Sequence, residues 1–427
     1  MKFSTASLSA VLSLGLILTL SASCHHSETE AERIPRDLNK TLTNEMSDSS
    51  DLAGMDKNIR LFMQQWNLQG LSLSIMRNDS LVYAKGYGWA DEAKKREMTP
   101  GTILRMASVS KLITATGIMV LQEQGRLSLS DKVFGPEGIL NDSTYTEIIK
   151  DKNYFKISVE DLLRHKGGFT TRAGDPMFST RTIMLQNRLD TPPDNETLVK
   201  IQLKRRLQFE PGTSQYYSNF GYLLLSMVIE KLTGEKYEDW MQENVLKPAA
   251  CTDFRIANNY YHQRYDNETR YYVQDNDEPV QEYNNSGKMV VRCYGGNDIR
   301  ALSGAGAWVA STPELARFVA SIDGRNEVPD IISAESVRQM TEYFDENTYS
   351  LGWNDTKPDG EWTRTGTFSG TSALVKQFPD GECWILITNT STWKGPQFSR
   401  YTTELMKKCR AKYSAVLPHR DFFYESE

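Results

Sequence analysis

Ser108 and Lys111 are the residues best suited to covalent chemistry, standing in the run Ser108-Val109-Ser110-Lys111 at the head of an apolar stretch that continues to Gln124. Three positions apart on a helix, the hydroxyl and the amine share one face. A helix N-terminus favours negative charge developing on a serine oxygen and disfavours the ammonium form of a nearby lysine. For Lys111 to accept a proton at pH 7 its pKa must fall from about 10.4 to near 7, which costs about 4 kcal/mol and requires burial or a second cation. The chemistry implied is attack of a serine oxygen on a carbonyl carbon. Spacing alone is a weak signal, because Ser391-Thr392-Trp393-Lys394 repeats it just before Gly395-Pro396, where no helix is expected to align the pair.

The surrounding pattern predicts the elements that must position this pair. Met55, Ile59, Leu61, Phe62 and Trp66 recur at helical spacing within 51–66. Leu71, Leu73 and Ile75 then alternate, Asn78-Asp79 marks a turn, and Leu81-Val82-Tyr83 resumes, which predicts a β-hairpin. The far end mirrors it, with a hairpin over 372–387 turning at Pro379-Asp380-Gly381 and a closing helix over 400–412. Between these ends helices are expected over 108–124, after the capping-box pattern Ser158-Val159-Glu160-Asp161, over 219–232 with a stop at Gly234, and from an N-cap at Thr312 with Pro313 at N1 through Ile322. The expected fold class is α+β, an α/β sandwich whose antiparallel sheet comes from the two chain ends, flanked by helices and interrupted by a helical insertion. Residues 255–300 depart from this pattern, being rich in Asn, Asp and Tyr (Tyr260, Tyr261, Tyr265, Tyr271, Tyr272, Tyr283). Such tyrosines either bind ligand at a cleft mouth or pack as strands.

Two further motifs follow in chain order. Phe209-Glu210-Pro211-Gly212 precedes Tyr217-Ser218-Asn219, and Trp362-Thr363-Arg364-Thr365-Gly366-Thr367 precedes the last hairpin. In the order S-x-x-K, Y-x-N and basic-Thr-Gly, they resemble the three motifs of the serine β-lactamase and penicillin-binding-protein family, in the class C β-lactamase-related branch with tyrosine in the second motif. The resemblance runs from about residue 52 to 412. It implies a β-lactamase/transpeptidase-like fold and a serine hydrolase in which Ser108 forms an acyl-enzyme, with Lys111 and Tyr217 sharing the proton transfer. By the same resemblance Asn219 binds the substrate amide or orients Lys111, Thr365 and Gly366 line the substrate site, and the backbone N–H groups of Ser108 and Thr367 form the oxyanion hole. Arg364 stands where the family usually has lysine or histidine. A guanidinium there is expected to bind a substrate carboxylate, or to lower the pKa of Lys111 or Tyr217, and to disfavour efficient β-lactam turnover. The implied function is cleavage of an amide or ester, including D-amino-acid peptides. The alternatives are a β-lactamase and a surface sensor that binds without turnover. No cofactor or metal is implied.

Rival chemistries find little support. The chain has 5 histidines, none in a G-x-S-x-G context, and lacks H-E-x-x-H, phosphate-loop and dinucleotide patterns. His165 is expected to bridge backbone groups rather than bind metal. With 49 Lys+Arg against 55 Asp+Glu the net charge of −6 argues against nucleic-acid binding, and the 427 residues at 39% hydrophobic can build a sizeable core. The expected partner is a small-molecule or peptide substrate, on a monomer.

The start of the chain reads as a sorting signal. Lys2 precedes an apolar run from Leu8 to Leu20, too short for the roughly 20 residues that span a bilayer, and Leu20-Ser21-Ala22-Ser23-Cys24 resembles a lipoprotein cleavage site. Lipidation at Cys24, with anchoring to a bacterial membrane, and ordinary secretion both remain open, and both export the protein. The expected segments are a signal peptide 1–23, a flexible tether 24–50, the hydrolase domain 51–412 and a C-terminal tail 413–427. The widely spaced Cys251, Cys293, Cys383 and Cys409 form either disulfides or isolated buried thiols.

Overall fold

The computed structural model describes residues 35–424 apart from 173, 275–277 and 326. The expected signal peptide and Cys24 lie outside the described residues. Helix α1 (Ala53–Gln65) buries Met55, Ile59, Phe62 and Met63 on one stripe. Strands β1 (Gly70–Arg77) and β2 (Ser80–Asp91) form the first hairpin. Its turn residues Asn78 and Asp79 both have positive φ, 46° and 57°, a conformation these two side chains tolerate. After the short β3 (Arg96–Glu97) come α2 (Ser110–Glu123), α3 (Asn195–Leu203), α4 (Asn219–Thr233) and α5 (Thr312–Ala320). The chain then returns through β4 (Asp355–Thr356), β5 (Trp362–Phe368), β6 (Thr371–Gln377) and β7 (Glu382–Thr388) to α6 (Phe398–Tyr413).

The seven strands make one antiparallel sheet in the order β4-β5-β6-β7-β1-β2-β3, so the two chain ends meet where β7 pairs β1. Alternation sorts the faces. Leu71, Leu73, Ile75, Leu374, Trp384 and Leu386 join α1 and α6 in one core, whereas Ala373, Val375, Ile385 and Ile387 face the larger core of the helical insertion. Ser72 and Ser74 also face the insertion, where their hydroxyls meet Thr312 Oγ1 at 2.8 and 2.9 Å. This is the expected α/β sandwich. No helix among the described residues is long and apolar enough to cross a membrane.

Several boundaries are corrected. Residues 35–50 are packed, with Leu38 and Leu42 buried, Ser47 Oγ bonded to both Ala84 N and Ala84 O, and Asn44 bridging Gly86 N and Met98 O. Their polar side chains satisfy the outer edge of β2 instead of water, which is why composition alone suggested a tether. The tail is likewise docked, with Phe422 N bonded to Leu81 O at 2.9 Å and Phe423 buried. The N-cap of α5 is Ser311, not Thr312, because Ser311 accepts from Glu314 N while the Thr312 hydroxyl is engaged by β1. Cys251, Cys293, Cys383 and Cys409 are all buried, and Cys251, Cys383 and Cys409 are free thiols. Within 255–300, Tyr271 is buried and its hydroxyl accepts from Arg105 N at 2.8 Å, with the Arg105 guanidinium 4.3 Å from its ring centroid. That tyrosine packs on the strand leading to Ser108 and does not line the cleft beside Ser108.

Candidate active site

A tight turn, Ala107–Val109, delivers the chain into α2, and Ala107 adopts a left-handed φ of 48° that costs a non-glycine residue of the order of 1 kcal/mol. The bend sets Ser108 at the helix entrance, where the first N–H groups lie outside the helical ladder. Lys111, one turn on, is wholly buried. Its Nζ donates to Ala305 O at 2.6 Å, Asn219 Oδ1 at 2.7 Å and Ser108 Oγ at 3.3 Å. Three acceptors match the three donors of an ammonium group. The Ser108 and Tyr217 oxygens lie 2.8 Å apart, and Arg364 Nη2 donates to the Tyr217 oxygen at 3.3 Å.

The electrostatics follow from burial among two cations. Burial pushes Lys111 down, and the Arg364 charge adds to this against the pull of Tyr217, bringing its pKa to about 8. Burial pushes the Tyr217 phenol up, but Lys111 and Arg364 outweigh it and bring Tyr217 down to about 8 as well. Lysine and tyrosine therefore titrate close together, both near pH 8, and the three acceptors around Nζ favour the charged form of Lys111.

Arg364 requires a correction. It is 0% exposed, its Nε donates to Ser108 O at 2.8 Å, and its Nη1 is buried without a partner. Wholly buried and absent from the cleft lining, it is out of reach of a substrate carboxylate, and of its two expected roles the electrostatic one fits this geometry. Its charge instead acts on Tyr217 and Lys111. Arg364→Gln is therefore expected to raise both pKa values and move the acid limb of the kcat/KM profile to higher pH. Activity at pH 7 should fall about tenfold with much less loss at pH 9. A uniform loss across the pH profile would show that the residue only supports structure.

Asn219 opens α4, whose N-cap Ser218 accepts from Gly221 N. Its Oδ1 holds Lys111 and its Nδ2 donates to Asp175 Oδ2 at 2.7 Å, so both ends of the amide are taken by protein. Of its two expected roles, orienting Lys111 fits this geometry. Asp175 went unnoticed in the sequence because a lone aspartate in a loop carries no motif. Burial raises its pKa, and its other oxygen accepts from Met177 N at 2.9 Å. His165 is buried and held neutral, and its Nδ1 accepts from Ser218 N at 3.2 Å while its ring packs 4.4 Å from that of Tyr217.

Gly366 lets β5 approach the turn, since a Cβ there would lie 2.3 Å from Met106 O and 2.8 Å from Ser108 N. Thr365 N donates to Asn354 Oδ1 at 2.6 Å, away from β6. Backbone N–H groups alternate sides along a strand, so Thr367 N–H also points away from β6 and into the cleft beside Ser108. The cleft, about 340 Å³, is lined by Ser108, Tyr217, Asn219, Thr365, Gly366 and Thr367 and walled by Phe178, Leu302, Phe368 and Pro396. Phe178 meets Phe368 edge to face at 5.6 Å. Asn354, also unmarked in the sequence, fixes the strand edge. No cluster of metal-ligating residues occurs among the described residues.

A profile of the beta-lactamase family matches residues 55–403. The chain belongs to the beta-lactamase family. At the level of the family the resemblance drawn from the three motifs is thereby confirmed, and the family is one of serine hydrolases with the β-lactamase/transpeptidase fold. Among relatives, the Bacillus subtilis (strain 168) protein named "Putative penicillin-binding protein PbpX" is 25% identical over 336 residues, covering 78% of this chain and 74% of that one. The Escherichia coli O157:H7 protein named "Putative D-alanyl-D-alanine carboxypeptidase" is 29% identical over 191 residues, covering 43% of this chain and 42% of the relative, less than half of its length. Among solved structures, the octameric penicillin-binding protein homologue from Pyrococcus abyssi has a TM-score of 0.63 at 22% identity, covering 85% of this chain and 79% of its own. The D-amino acid amidase from Ochrobactrum anthropi SV3, complexed with L-phenylalanine amide, has a TM-score of 0.65 at 20% identity, covering 86% and 99%. These two structures share the fold of this beta-lactamase family member.

Proposed function

We propose that the protein cleaves an amide or ester beside a D-amino-acid residue through a Ser108 acyl-enzyme. The observation that carries this reading is Ser108 Oγ lying between Tyr217 and Lys111 while opening onto the cleft. Tyr217, as the phenolate, takes the hydroxyl proton as Ser108 Oγ bonds to the carbonyl carbon. The oxyanion that forms accepts from Ser108 N–H and Thr367 N–H, each such donor being worth about 10²–10³ in rate. Tyr217 then protonates the leaving amine or alkoxide as its bond to the carbonyl breaks. Deacylation repeats the sequence with water as the nucleophile. Lys111 keeps its charge throughout and holds the phenolate form of Tyr217 accessible.

The apolar wall of Phe178, Leu302 and Phe368 suits an uncharged side chain next to the scissile bond. The D configuration rests on the names of the carboxypeptidase relative and the amidase neighbour. Purified protein offered D-phenylalanine amide, a D-alanyl-D-alanine peptide, their L counterparts and a penicillin is expected to turn over the D substrates and to retain the penicillin as an adduct on Ser108. Rapid multiple turnover of penicillin without peptide cleavage would make it a β-lactamase. An intact fold with neither adduct nor turnover would make it a binding protein.

We also propose export with lipid attachment at Cys24, supported by the short apolar run and the small residues before that cysteine. Wild-type protein should fractionate with membranes and Cys24→Ser should not. A mature N-terminus mapped away from residue 24 would overturn the lipid claim.

A further inference from the structure

Behind the Asp175 loop lies a second recess of about 170 Å³, separate from the cleft that holds Ser108. Helix α3 ends at Leu203 and the chain leaves it through Lys204-Arg205-Arg206, so that Arg205 and Arg206 line the recess together with Arg172 and Gln202. All three arginines are exposed, and none of their guanidinium groups has a hydrogen-bond or carboxylate partner among the described residues. Basic side chains close by in the fold are paired, Lys156 with Glu210 at 2.6 Å and Lys200 with Glu196 at 2.5 Å. Gln202 is 8% exposed and its Nε2 is a buried donor without an acceptor, the kind of group that folded proteins almost always satisfy. The carboxylate within the lining, Asp175, is already committed to Asn219 and to Met177 N. Four donor groups thus border one recess with no acceptor assigned to them.

Thr171 and Asp175 border both this recess and the trough that runs past Tyr217. Tyr217 in turn lines the cleft at Ser108, which makes the surface continuous from recess to nucleophile. We infer that Arg172, Arg205, Arg206 and Gln202 form a subsite for an acidic group carried by the substrate at a distance from the bond that is cleaved. The inference rests on the hydrolase reading above and adds to it that acidic amides or esters are preferred. A carboxylate fits two guanidinium forks side by side, and its further lone pair fits the Gln202 donor.

Two measurements test it. In the first, the N-succinyl and N-acetyl forms of one D-alanyl-D-alanine substrate are compared at low salt. The succinyl form should show a KM roughly tenfold lower at similar kcat, and the difference should vanish in Arg205→Ala/Arg206→Ala and shrink at high salt, with acetyl kinetics unchanged. Equal KM values in the wild type would overturn the subsite while leaving the hydrolase reading standing. In the second, calorimetry on Ser108→Ala reads succinate and inorganic phosphate directly, so the subsite is tested even if no substrate turns over. Succinate binding that the double arginine variant abolishes supports it. Absence of succinate binding, or phosphate binding as tight as succinate without any KM preference, would overturn it in favour of no site or of a site for free anions.

Discussion

Ser108→Ala is expected to abolish labelling by a fluorophosphonate probe and to lower kcat/KM on the best substrate by about 10³-fold or more, because the proposed covalent path would be lost and only binding and the oxyanion donors would remain. Neighbouring hydroxyls cannot replace it. Ser110 is wholly buried and its oxygen accepts from Trp308 N at 3.1 Å. Ser391, which shares the S-x-x-K spacing, sits on a two-residue strand rather than a helix, and its Lys394 lies over the Trp393 ring. Peptide mapping should therefore find the probe on Ser108 alone in the wild type. A label on another serine, or retained turnover in the alanine variant, would remove Ser108 from the mechanism.

Tyr217→Phe and Lys111→Ala should each cost about 10²–10⁴ in kcat/KM, the range expected for a lost general base or its electrostatic support. Tyr217→Phe is the cleaner variant, since it removes one oxygen and leaves the ring packed against His165 and Tyr349. Its melting temperature should stay near the wild-type value while activity collapses. Lys111→Ala also strands Ala305 O and Asn219 Oδ1 in the interior, so it should lose stability as well. Because both groups bond to the same Ser108 oxygen, the double variant should be little worse than the worse single variant. Additive losses would mean that lysine and tyrosine act in separate steps.

Most of the sheet, and the meeting of Ser108, Lys111 and Tyr217 at one cleft, was legible in the sequence. Period-two alternation at Leu71, Leu73 and Ile75 and the continuous apolar run of β7 reflect one strand's two faces and a strand buried on both. Ser108, Lys111 and Tyr217 were readable because their chemistry demands residue types in a fixed order. Arg364 was misread at the level of contact, since sequence gives a residue's type and not the side of the strand that it occupies. Asp175 and Asn354 were invisible for a related reason. Asp175 works by accepting from Asn219, 44 residues on, and Asn354 by accepting from both the backbone N–H and the hydroxyl of Thr365, 11 residues on, pairings that only the folded structure creates. The packing of residues 35–50 was hidden because serine and asparagine serve a strand edge as readily as they serve water.

Ser108 and Thr367 stand on either side of the long insertion, and β5 reaches the Ser108 turn as part of a sheet closed by β7 on β1. On the acyl-enzyme reading proposed above, a nascent or half-threaded chain thus carries a serine that is chemically ordinary, and hydrolytic competence waits until the final strands dock.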